Sequence, residues 1–320
     1  MITMTEIAKL AHVSQPTVSR VLNGNMNVAP EIRERVLACA KEHDYQINAL
    51  AKGLQGSRTN LMGVLLTDIS NGFFADVAKA IETEARKRGY SIILFNSNYN
   101  TESEREYLDV VRRYRVDGVL AVPIRETSMM WREYAEKLDV PVVAVTRSAN
   151  GLDSVYVDHA EAGGMVAGHL VRRGYENFLF IGKEYDSKYI GFHRKLSELG
   201  YGDRAANVVY QDSPQITEAL RGALHGRRLG IFAGNDIYGL RILSALRELQ
   251  VSVPGEAGVI GFDDTMMSRY LNPSLSSVSQ PIARMAQKAV SRLVYRIEHP
   301  GPCELLDDPL HAELVIRQST

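Results

Sequence analysis

The chain has few of the residues, and none of the long runs, that mark several classes of protein. Its 320 residues include only two cysteines, Cys39 and Cys303, and one tryptophan. The cysteines lie far apart, so we expect reduced thiols, as is usual in the cytoplasm, and no disulfide. No apolar run reaches the roughly 18 residues that cross a membrane, and no basic-then-apolar signal opens the sequence. We therefore expect a cytoplasmic protein with no membrane partner.

The common signatures of catalysis and metal binding are also absent. The sequence has no G-x-G-x-x-G, no P-loop, no G-x-S-x-G and no C-x-x-C, and its eight histidines are scattered. Asp158 and His159 suggest a proton relay, but no serine or cysteine nucleophile accompanies them, so a ligand-binding Asp158 is the better reading. We expect a protein that is not an enzyme and needs no metal and no cofactor.

Net charge gives little indication of a nucleic-acid partner. The whole chain carries a formal charge of −1, so it is not a polycation. Residues 1–60 hold seven Lys or Arg residues against five acids, an excess of two positive charges. Any affinity for DNA must therefore come from a local arrangement of side chains rather than from bulk charge.

The first 46 residues read as three short helices. Thr3 and Glu6 have the spacing of a capping box at the start of the first helix. Ser14 can cap a second helix whose first turn contains Pro16, where a missing N–H costs least. A third helix is predicted from Pro30 to about residue 43. Such a small unit has little core of its own.

The exposed face of the second helix is polar, which suits docking into the major groove of DNA. The alternative is an ordinary amphipathic helix pair in a small bundle. Residues 47–60 read as a connector with a short helix from Ala49 to Leu54. Gly53 and Gly56 weaken that helix, since each glycine costs about 1 kcal/mol relative to alanine.

From Leu61 onward, β-branched apolar runs alternate with amphipathic helical segments. This pattern predicts an α/β fold with parallel strands covered on both faces. We count about ten strands, which favours two sheets of five or six over one sheet of ten. Ligands bind such folds at the carboxyl ends of the strands. Aromatic, carboxylate and amide side chains occur at the predicted strand ends, a mixture that suits a polyhydroxylated ligand.

Residues 8–23 carry a motif specific enough to indicate a family. The pattern A-x-x-A-x-V-S-x-x-T-V-S-R-V-L-N, from Ala8 to Asn23, resembles the DNA-binding signature of the LacI/GalR (lactose repressor) family. The resemblance extends over essentially the whole chain. It implies a helix-turn-helix headpiece (1–46), a hinge helix or linker (47–60) and a two-lobed periplasmic-binding-protein-like effector domain (61–320). Lobe one is expected at about 61–158 and 283–320, and lobe two at about 159–282.

The resemblance also implies the residues of both sites. The expected DNA-binding residues are Thr3, Ser14, Gln15, Pro16, Thr17, Ser19, Arg20, Asn23 and Leu54. Leu54 matches the hinge leucine that enters the minor groove and kinks the duplex, although packing onto the next domain is the alternative. The expected effector-binding residues come from the predicted strand ends together with family motifs: Phe73, Phe74, Arg147, Asp158, Lys183, Lys188, Asn235 and Asp263.

One departure from the family pattern bears on the effector. Lys188 stands where the family usually has an arginine, three residues before Gly191. Lysine acts as a point charge and lacks the flat two-pronged contact of arginine. Arg147, Lys183 and Lys188 could therefore form a cationic wall for a sugar acid or a phosphorylated sugar. The alternative is that both lysines are solvated and that a neutral sugar binds through Arg147 and Asp263.

We expect a ligand-responsive repressor of a carbohydrate-utilisation operon, bound to a pseudo-palindromic operator as a homodimer. The dimer is expected because the sequence ends at Thr320 without the leucine-repeat tail that makes the lactose repressor a tetramer. Two alternatives stay open: a purine-type regulator that depends on a corepressor, and a solute-binding protein without DNA function. The sequence does not distinguish an inducer from a corepressor.

Overall fold

A computed structural model describes residues 2–22, 27–45, 58–124, 130–183, 186–209, 213–224 and 226–320. Contacts divide the chain into two units, Met1–Asn60 and Leu61–Thr320. Within the described ranges, no helix has both the length and the apolar content needed to cross a membrane.

The first unit contains the three helices that the sequence predicts: α1 (Met4–Leu10), α2 (Gln15–Leu22) and α3 (Pro30–Glu42). The capping box is present, because the Glu6 N–H donates to Thr3 Oγ1 at 3.3 Å and the Thr3 N–H donates to Glu6 Oε2 at 2.7 Å. Ile7, Val18 and Val36 are fully buried and bring one helix each into a shared core. This core fixes which face of α2 is left in solvent.

The second unit alternates strands and helices, and its elements have the following bounds. The strands are β1 (Leu61–Leu66), β2 (Ser91–Asn96), β3 (Gly118–Ala121), β4 (Val142–Thr146), β5 (Asp153–Val157), β6 (Asn177–Gly182), β7 (Ala205–Val209), β8 (Leu229–Ala233), β9 (Ala257–Phe262), β10 (Ser276–Ser279), β11 (Asp307–Leu310) and β12 (Glu313–Val315). The helices are α4 (Gly72–Lys87), α5 (Thr101–Tyr114), α6 (Trp131–Leu138), α7 (His159–Arg172), α8 (Ser187–Glu198), α9 (Ser213–Ala223), α10 (Asp236–Glu248), α11 (Met266–Tyr270) and α12 (Ile282–Glu298), with a 3-10 turn at Gly202–Arg204.

These strands form two six-stranded sheets, with the orders β11-β5-β4-β3-β1-β2 and β12-β10-β9-β8-β6-β7. Every pairing is parallel except that of β10 with β12. All residues of β4, β8 and β9 are buried, as expected for parallel strands covered by helices on both faces. The α/β fold with two parallel-dominated sheets is therefore confirmed.

The end of the chain requires one correction. Sequence analysis assigned residues 283–320 to lobe one, but β12 pairs antiparallel with β10 of the second sheet, with Val315 opposite Ser277. Ser319 Oγ donates to the Val259 carbonyl at 2.6 Å, which ties the last residues to the same sheet. Only β11, a strand that the sequence analysis did not predict, extends the first sheet. Residues 313–320 thus belong to lobe two. The sequence could not show this, because tertiary contacts, and not the strand's own residue pattern, decide which sheet a short edge strand joins.

Helices α7 and α8 of the second lobe approach each other at backbone contact. A Cβ added to Gly191 would lie 1.8 Å from the Ala160 carbonyl oxygen, and one added to Gly163 would lie 2.0 Å from that of Lys188. Any side chain larger than hydrogen at these two positions would force the helices apart. The crossing therefore sets the positions of the first turns of both helices, which hold His159 and Lys188.

We predict that Gly191→Ala lowers the free energy of unfolding by about 3 kcal/mol, because the methyl group overlaps backbone that cannot move aside. Gly222→Ala is the matched control: Gly222 also lies in a helix, and nothing lies within 4 Å of an added Cβ there. That change should be neutral or stabilising by up to about 1 kcal/mol. Urea unfolding followed by circular dichroism measures both, and equal effects of the two changes would contradict the prediction.

Candidate functional site

The predicted DNA-reading helix presents its polar face to solvent. Ser14, Gln15, Pro16 and Arg20 are exposed, as is Thr3 at the cap of α1, while Val18 and Val21 point into the core.

Ser14 caps the second helix, accepting from the Thr17 N–H at 3.4 Å, and the two hydroxyl oxygens lie 2.8 Å apart. Thr17 and Ser19 are half-buried on the flanks of the face. The predicted contacts Asn23 and Leu54 lie outside the described residues.

In the second unit, a cavity of about 210 Å³ lies where the carboxyl ends of the two sheets face each other. This is below the roughly 300–1,000 Å³ typical of drug-sized ligands, so a small ligand fits it better than a dinucleotide. Seven of the eight predicted effector residues line it: Phe73, Phe74, Arg147, Lys183, Lys188, Asn235 and Asp263. Further lining residues that the sequence analysis did not select include Tyr99, His159, Asp186, Tyr238, Phe262 and Gln280.

Asp158 is the predicted residue that the structure does not bring into this cavity. Its exposed carboxylate caps α7 by accepting from the N–H groups of Ala160 at 2.9 Å and Glu161 at 3.0 Å. The next residue, His159, lines the cavity instead, with its ring edge-on to Phe262 at 5.2 Å between centroids. Burial, with help from the nearby positive charges of Lys188 and Arg147, lowers the pKa of His159 to about 3. The imidazole is therefore neutral at physiological pH.

Asparagine caps hold two walls of the cavity in place. Asn71 Oδ1 accepts from the Phe73 N–H at 3.1 Å at the start of α4, and Phe73 packs edge-on against Phe74 with centroids 5.1 Å apart. Asn235 Oδ1 accepts from the Tyr238 N–H at 2.9 Å at the start of α10. Asn235 therefore keeps its amide N–H groups as the donors that it can offer to a ligand.

Asp263 and Gln280 form a buried pair at one end of the cavity. Gln280 Nε2 donates to Asp263 Oδ1 at 2.7 Å, and both residues are more than nine-tenths buried. Burial raises the pKa of Asp263 well above its usual value, although Lys188 opposes this shift. Within the described part of the chain, the buried Gln280 Oε1 has no hydrogen-bond partner. Gln280 follows a strand end, so the rule that selected Asp263 would also have found it.

Lys188 is held from three sides. Its ammonium donates to the Gly234 carbonyl at 2.9 Å, lies 3.4 Å from Asp186 Oδ2, and sits 4.5 Å from the centroid of the Phe262 ring. Burial opposes ionisation of Asp186, but the Lys188 charge and backbone N–H outweigh it and hold the pKa of Asp186 below its usual value. Asp186 is therefore a carboxylate beside the Lys188 ammonium. The charge of Lys188, one of the three members of the predicted cationic wall, is offset by a carboxylate.

The cavity mouth carries a contact between the two lobes. Lys183 follows β6 of the second sheet, and its ammonium lies 3.7 Å from the centroid of the Tyr99 ring. Tyr99 follows β2 of the first sheet, and its N–H donates to the Thr67 carbonyl at 3.1 Å. Burial raises the pKa of the Tyr99 phenol, while the nearby Arg147 opposes that shift. Lys183 is exposed, in contrast to Lys188.

No group of three or more histidine, cysteine or acidic side chains in the described ranges is arranged to hold a metal ion. The cavity instead combines aromatic faces with amide, carboxyl and ammonium groups. These can cover C–H surfaces and both donate to and accept from hydroxyl groups.

Profiles of known families match both units. Residues 3–48 match the family described as bacterial regulatory proteins, lacI family, and residues 167–320 match a periplasmic binding protein-like domain. The fold also resembles the crystal structure of the lac repressor dimer bound to operator and the anti-inducer ONPF. That likeness has a TM-score of 0.84 at 22% identity and covers 99% of this chain and 98% of that one.

Curated relatives align over the whole chain. The catabolite control protein A of Priestia megaterium is 34% identical, covering 100% of this chain and 99% of its own. The ribose operon repressor of Halalkalibacterium halodurans is 31% identical, with 100% and 97% covered. The HTH-type transcriptional repressor PurR of Mannheimia succiniciproducens is also 31% identical, with 100% and 98% covered.

A helix-turn-helix unit followed by a two-sheet domain with a small polar and aromatic cavity defines a ligand-responsive DNA-binding regulator. The chain belongs to the LacI family of bacterial transcriptional regulators. Its relatives in that family are DNA-binding repressors rather than enzymes.

We predict that His159 makes the protein less stable in mild acid. Its folded pKa of about 3 lies below the unfolded value of 6.5, so only the unfolded chain gains this proton as the pH falls from 6.5 towards 3. Between pH 7 and pH 5 this costs about 2 kcal/mol of the unfolding free energy. His159→Gln should remove that part of the loss, and the same change at exposed His299 should not. Urea unfolding at both pH values tests this, and equal losses in wild type and His159→Gln would refute it.

Proposed function

We propose that this protein represses carbohydrate-utilisation genes by binding a pseudo-palindromic operator as a homodimer, under the control of a carbohydrate that binds between the lobes. The observation that carries the effector assignment is the cavity itself. Its aromatic walls and its buried Asp263–Gln280 pair offer the contacts that a hydroxylated ring requires.

DNA recognition in this proposal belongs to the exposed face of α2. Gln15, Thr17, Ser19 and Arg20 contact base edges and phosphates, while Thr3 and Ser14 contribute at the helix starts. Residues 1–46 act as the reading unit, and residues 47–60 connect it to the effector domain, with Leu54 entering the minor groove. Two such units in a symmetric dimer meet two half-sites of matching symmetry.

Five exposed apolar side chains on α10 and α11, which we group as one patch, support the dimer. Its members are Met266, Met267 and Tyr270 of α11, which are 68%, 56% and 77% exposed, and Ile237 and Leu240 of α10. Exposed apolar surface of this kind marks interaction sites in soluble proteins. We assign the patch to the contact with the second copy, as part of a two-fold interface.

The ligand site lies next to that patch along the chain. Asp236 accepts from the Thr265 N–H at 2.6 Å and from Ser277 Oγ at 2.6 Å, which joins the start of α10 to the start of α11. Thr265 is two residues from Asp263. A ligand that favours one arrangement of Asp263 therefore biases the interface, and DNA affinity changes with ligand affinity by the same factor. The sign of that coupling separates inducer from corepressor.

A purine-type corepressor is the second candidate, since PurR is as similar to this chain as the ribose operon repressor is. Thermal shift with a panel of sugars, sugar phosphates, adenine and guanine separates the two candidates, because a ligand that binds only the folded state raises Tm. We expect a sugar to raise Tm. A rise with a purine alone would refute the carbohydrate assignment.

We predict that Arg20→Ala abolishes specific operator binding, with a loss of about a hundredfold, and leaves effector affinity unchanged. Lys41→Ala removes the same charge from an exposed position on α3 and should weaken binding only slightly. Gel shifts on a palindrome upstream of the gene measure both. If the wild-type protein gives no shift at low salt, with or without ligand, the solute-binding alternative is favoured over the repressor.

We predict that Asp263→Asn lowers the affinity for the effector by about tenfold or more. The change replaces the second carboxyl oxygen, which can accept a hydrogen bond from the ligand, with an amide nitrogen that cannot. If the effector is an inducer, the variant stays on the operator when effector is added. Asp158→Asn is the matched control, because that residue lies outside the cavity and asparagine also caps helices. Calorimetry and gel shifts with the sugar found in the screen test this, and a normal response of Asp263→Asn would refute the site.

A further inference from the structure

We propose that Lys188 determines effector specificity by acting as the fixed counter-ion of Asp186, so that the inner end of the cavity selects an uncharged, hydroxyl-bearing group and rejects anions. By the inner end we mean the space bounded by Lys188, Asp186, Asp263 and Gln280. The inference rests on the proposed function, because it names which carbohydrates the cavity admits.

The hydrogen bonding of Lys188 leaves one donor for a ligand. An ammonium group has three N–H donors. One is taken by the Gly234 carbonyl and a second is directed at Asp186 Oδ2. The side chains of Lys188 and Asp186 are each only 12% exposed, so water screens this pair weakly. The third N–H can bind one oxygen atom of a ligand, but most of the charge is already compensated.

The neighbouring groups, Gln280 and Asp263, require a ligand that donates hydrogen bonds. Gln280 Oε1 is a buried acceptor without a partner in the described part of the chain, and Asp263 uses only Oδ1 to accept from Gln280. A hydroxyl group meets these conditions because it accepts from Lys188 and donates to an amide or carboxyl oxygen. An ionised phosphate or carboxylate oxygen cannot donate to Gln280 Oε1, and beside Lys188 it would also be repelled by the carboxylate of Asp186.

Lysine rather than arginine makes this arrangement selective. A guanidinium has five N–H donors in a fixed fork, so after pairing with Asp186 it would still hold donors for a second pair of anionic oxygens. Lysine has a single donor to spare. The exposed Lys183 lies at the mouth, over the Tyr99 ring, and is not part of the inner end.

The experiment uses inorganic phosphate as a simple anion and measures its binding to the full chain by calorimetry at constant ionic strength and pH 7. The variants are Asp186→Asn, Lys188→Met and the double change. Asparagine can still cap α8 as Asp186 does, by accepting from the Lys188 N–H, so the helix start is retained. Phosphate bound elsewhere, including at the headpiece, is the same in all four proteins and cancels.

We expect Asp186→Asn to bind phosphate about tenfold or more tightly than wild type, because the Lys188 charge is no longer compensated. The double variant, in which both charges are gone, should return to the wild-type value. The inference is overturned if Asp186→Asn shows no gain, or if wild type binds phosphate in a way that Lys188→Met removes. A purely structural role for Lys188 would produce neither change.

Matched pairs of ligands then test the carbohydrate class separately. The pairs are D-ribose with ribose 5-phosphate and D-glucose with glucose 6-phosphate. Wild type should prefer the neutral member of a pair, and Asp186→Asn should shift that preference towards the phosphorylated one. If no carbohydrate binds wild type but Asp186→Asn gains phosphate, the proposed effector class fails and the role of Lys188 stands. If wild type prefers the phosphorylated member at the inner end, the role of Lys188 fails and the carbohydrate class stands.

Discussion

The close crossing of α7 and α8 is the constraint on which the second lobe's side of the cavity depends. At this crossing, Gly163 and Gly191 let the backbones of the two helices touch. The same crossing places His159, the first residue of α7, beside Phe262, and Lys188, in the first turn of α8, beside Gly234. Because both of these cavity-lining side chains lie in first turns, a small change in the spacing of the helices would displace both. Two glycines, each packed against the backbone of the opposite helix, therefore fix the positions of side chains in a cavity to which neither glycine contributes one.

The electrostatics of the cavity follow from that placement. Bringing a lysine and an aspartate out of water costs several kcal/mol for each ion, and a buried pair is therefore poor evidence for stability. The Lys188–Asp186 pair instead fixes the positions of both side chains. One oxygen of Asp186 caps α8, and the other pairs with the Lys188 ammonium. The neutral imidazole of His159 adds no charge to this end. Lys188 and Asp186 are thus largely committed to each other, whereas Gln280 Oε1 has no partner in the described part of the chain.

Sequence reasoning reached the fold and selected seven residues that line the cavity, because both depend on local signals. Parallel strands appear as uninterrupted β-branched runs, and the strand-end rule selected Phe73, Asn235 and Asp263. The strand-end rule was wrong by one residue after β5. Asp158 caps α7, and the next residue, His159, lines the cavity instead. Asp186 was not selected either: it caps α8, four residues after the end of β6. β12 itself was assigned to the wrong lobe, because pairing between distant strands leaves no local pattern.

The proposed coupling between the cavity and the dimer interface depends on the short stretch of chain between Asp263 and α11. Asp263 and Asp264 both have positive φ values, +106° and +48°, a backbone region in which non-glycine residues have few alternatives. Asp264 is held by Arg317, and Thr265 is held by Asp236, so the segment between the cavity and α11 is fixed at each step. A segment with so few conformations does not absorb a displacement of Asp263. In the proposed function, a displacement of Asp263 by a ligand would therefore reach α11 and its exposed methionines, and the ligand would favour one interface over another.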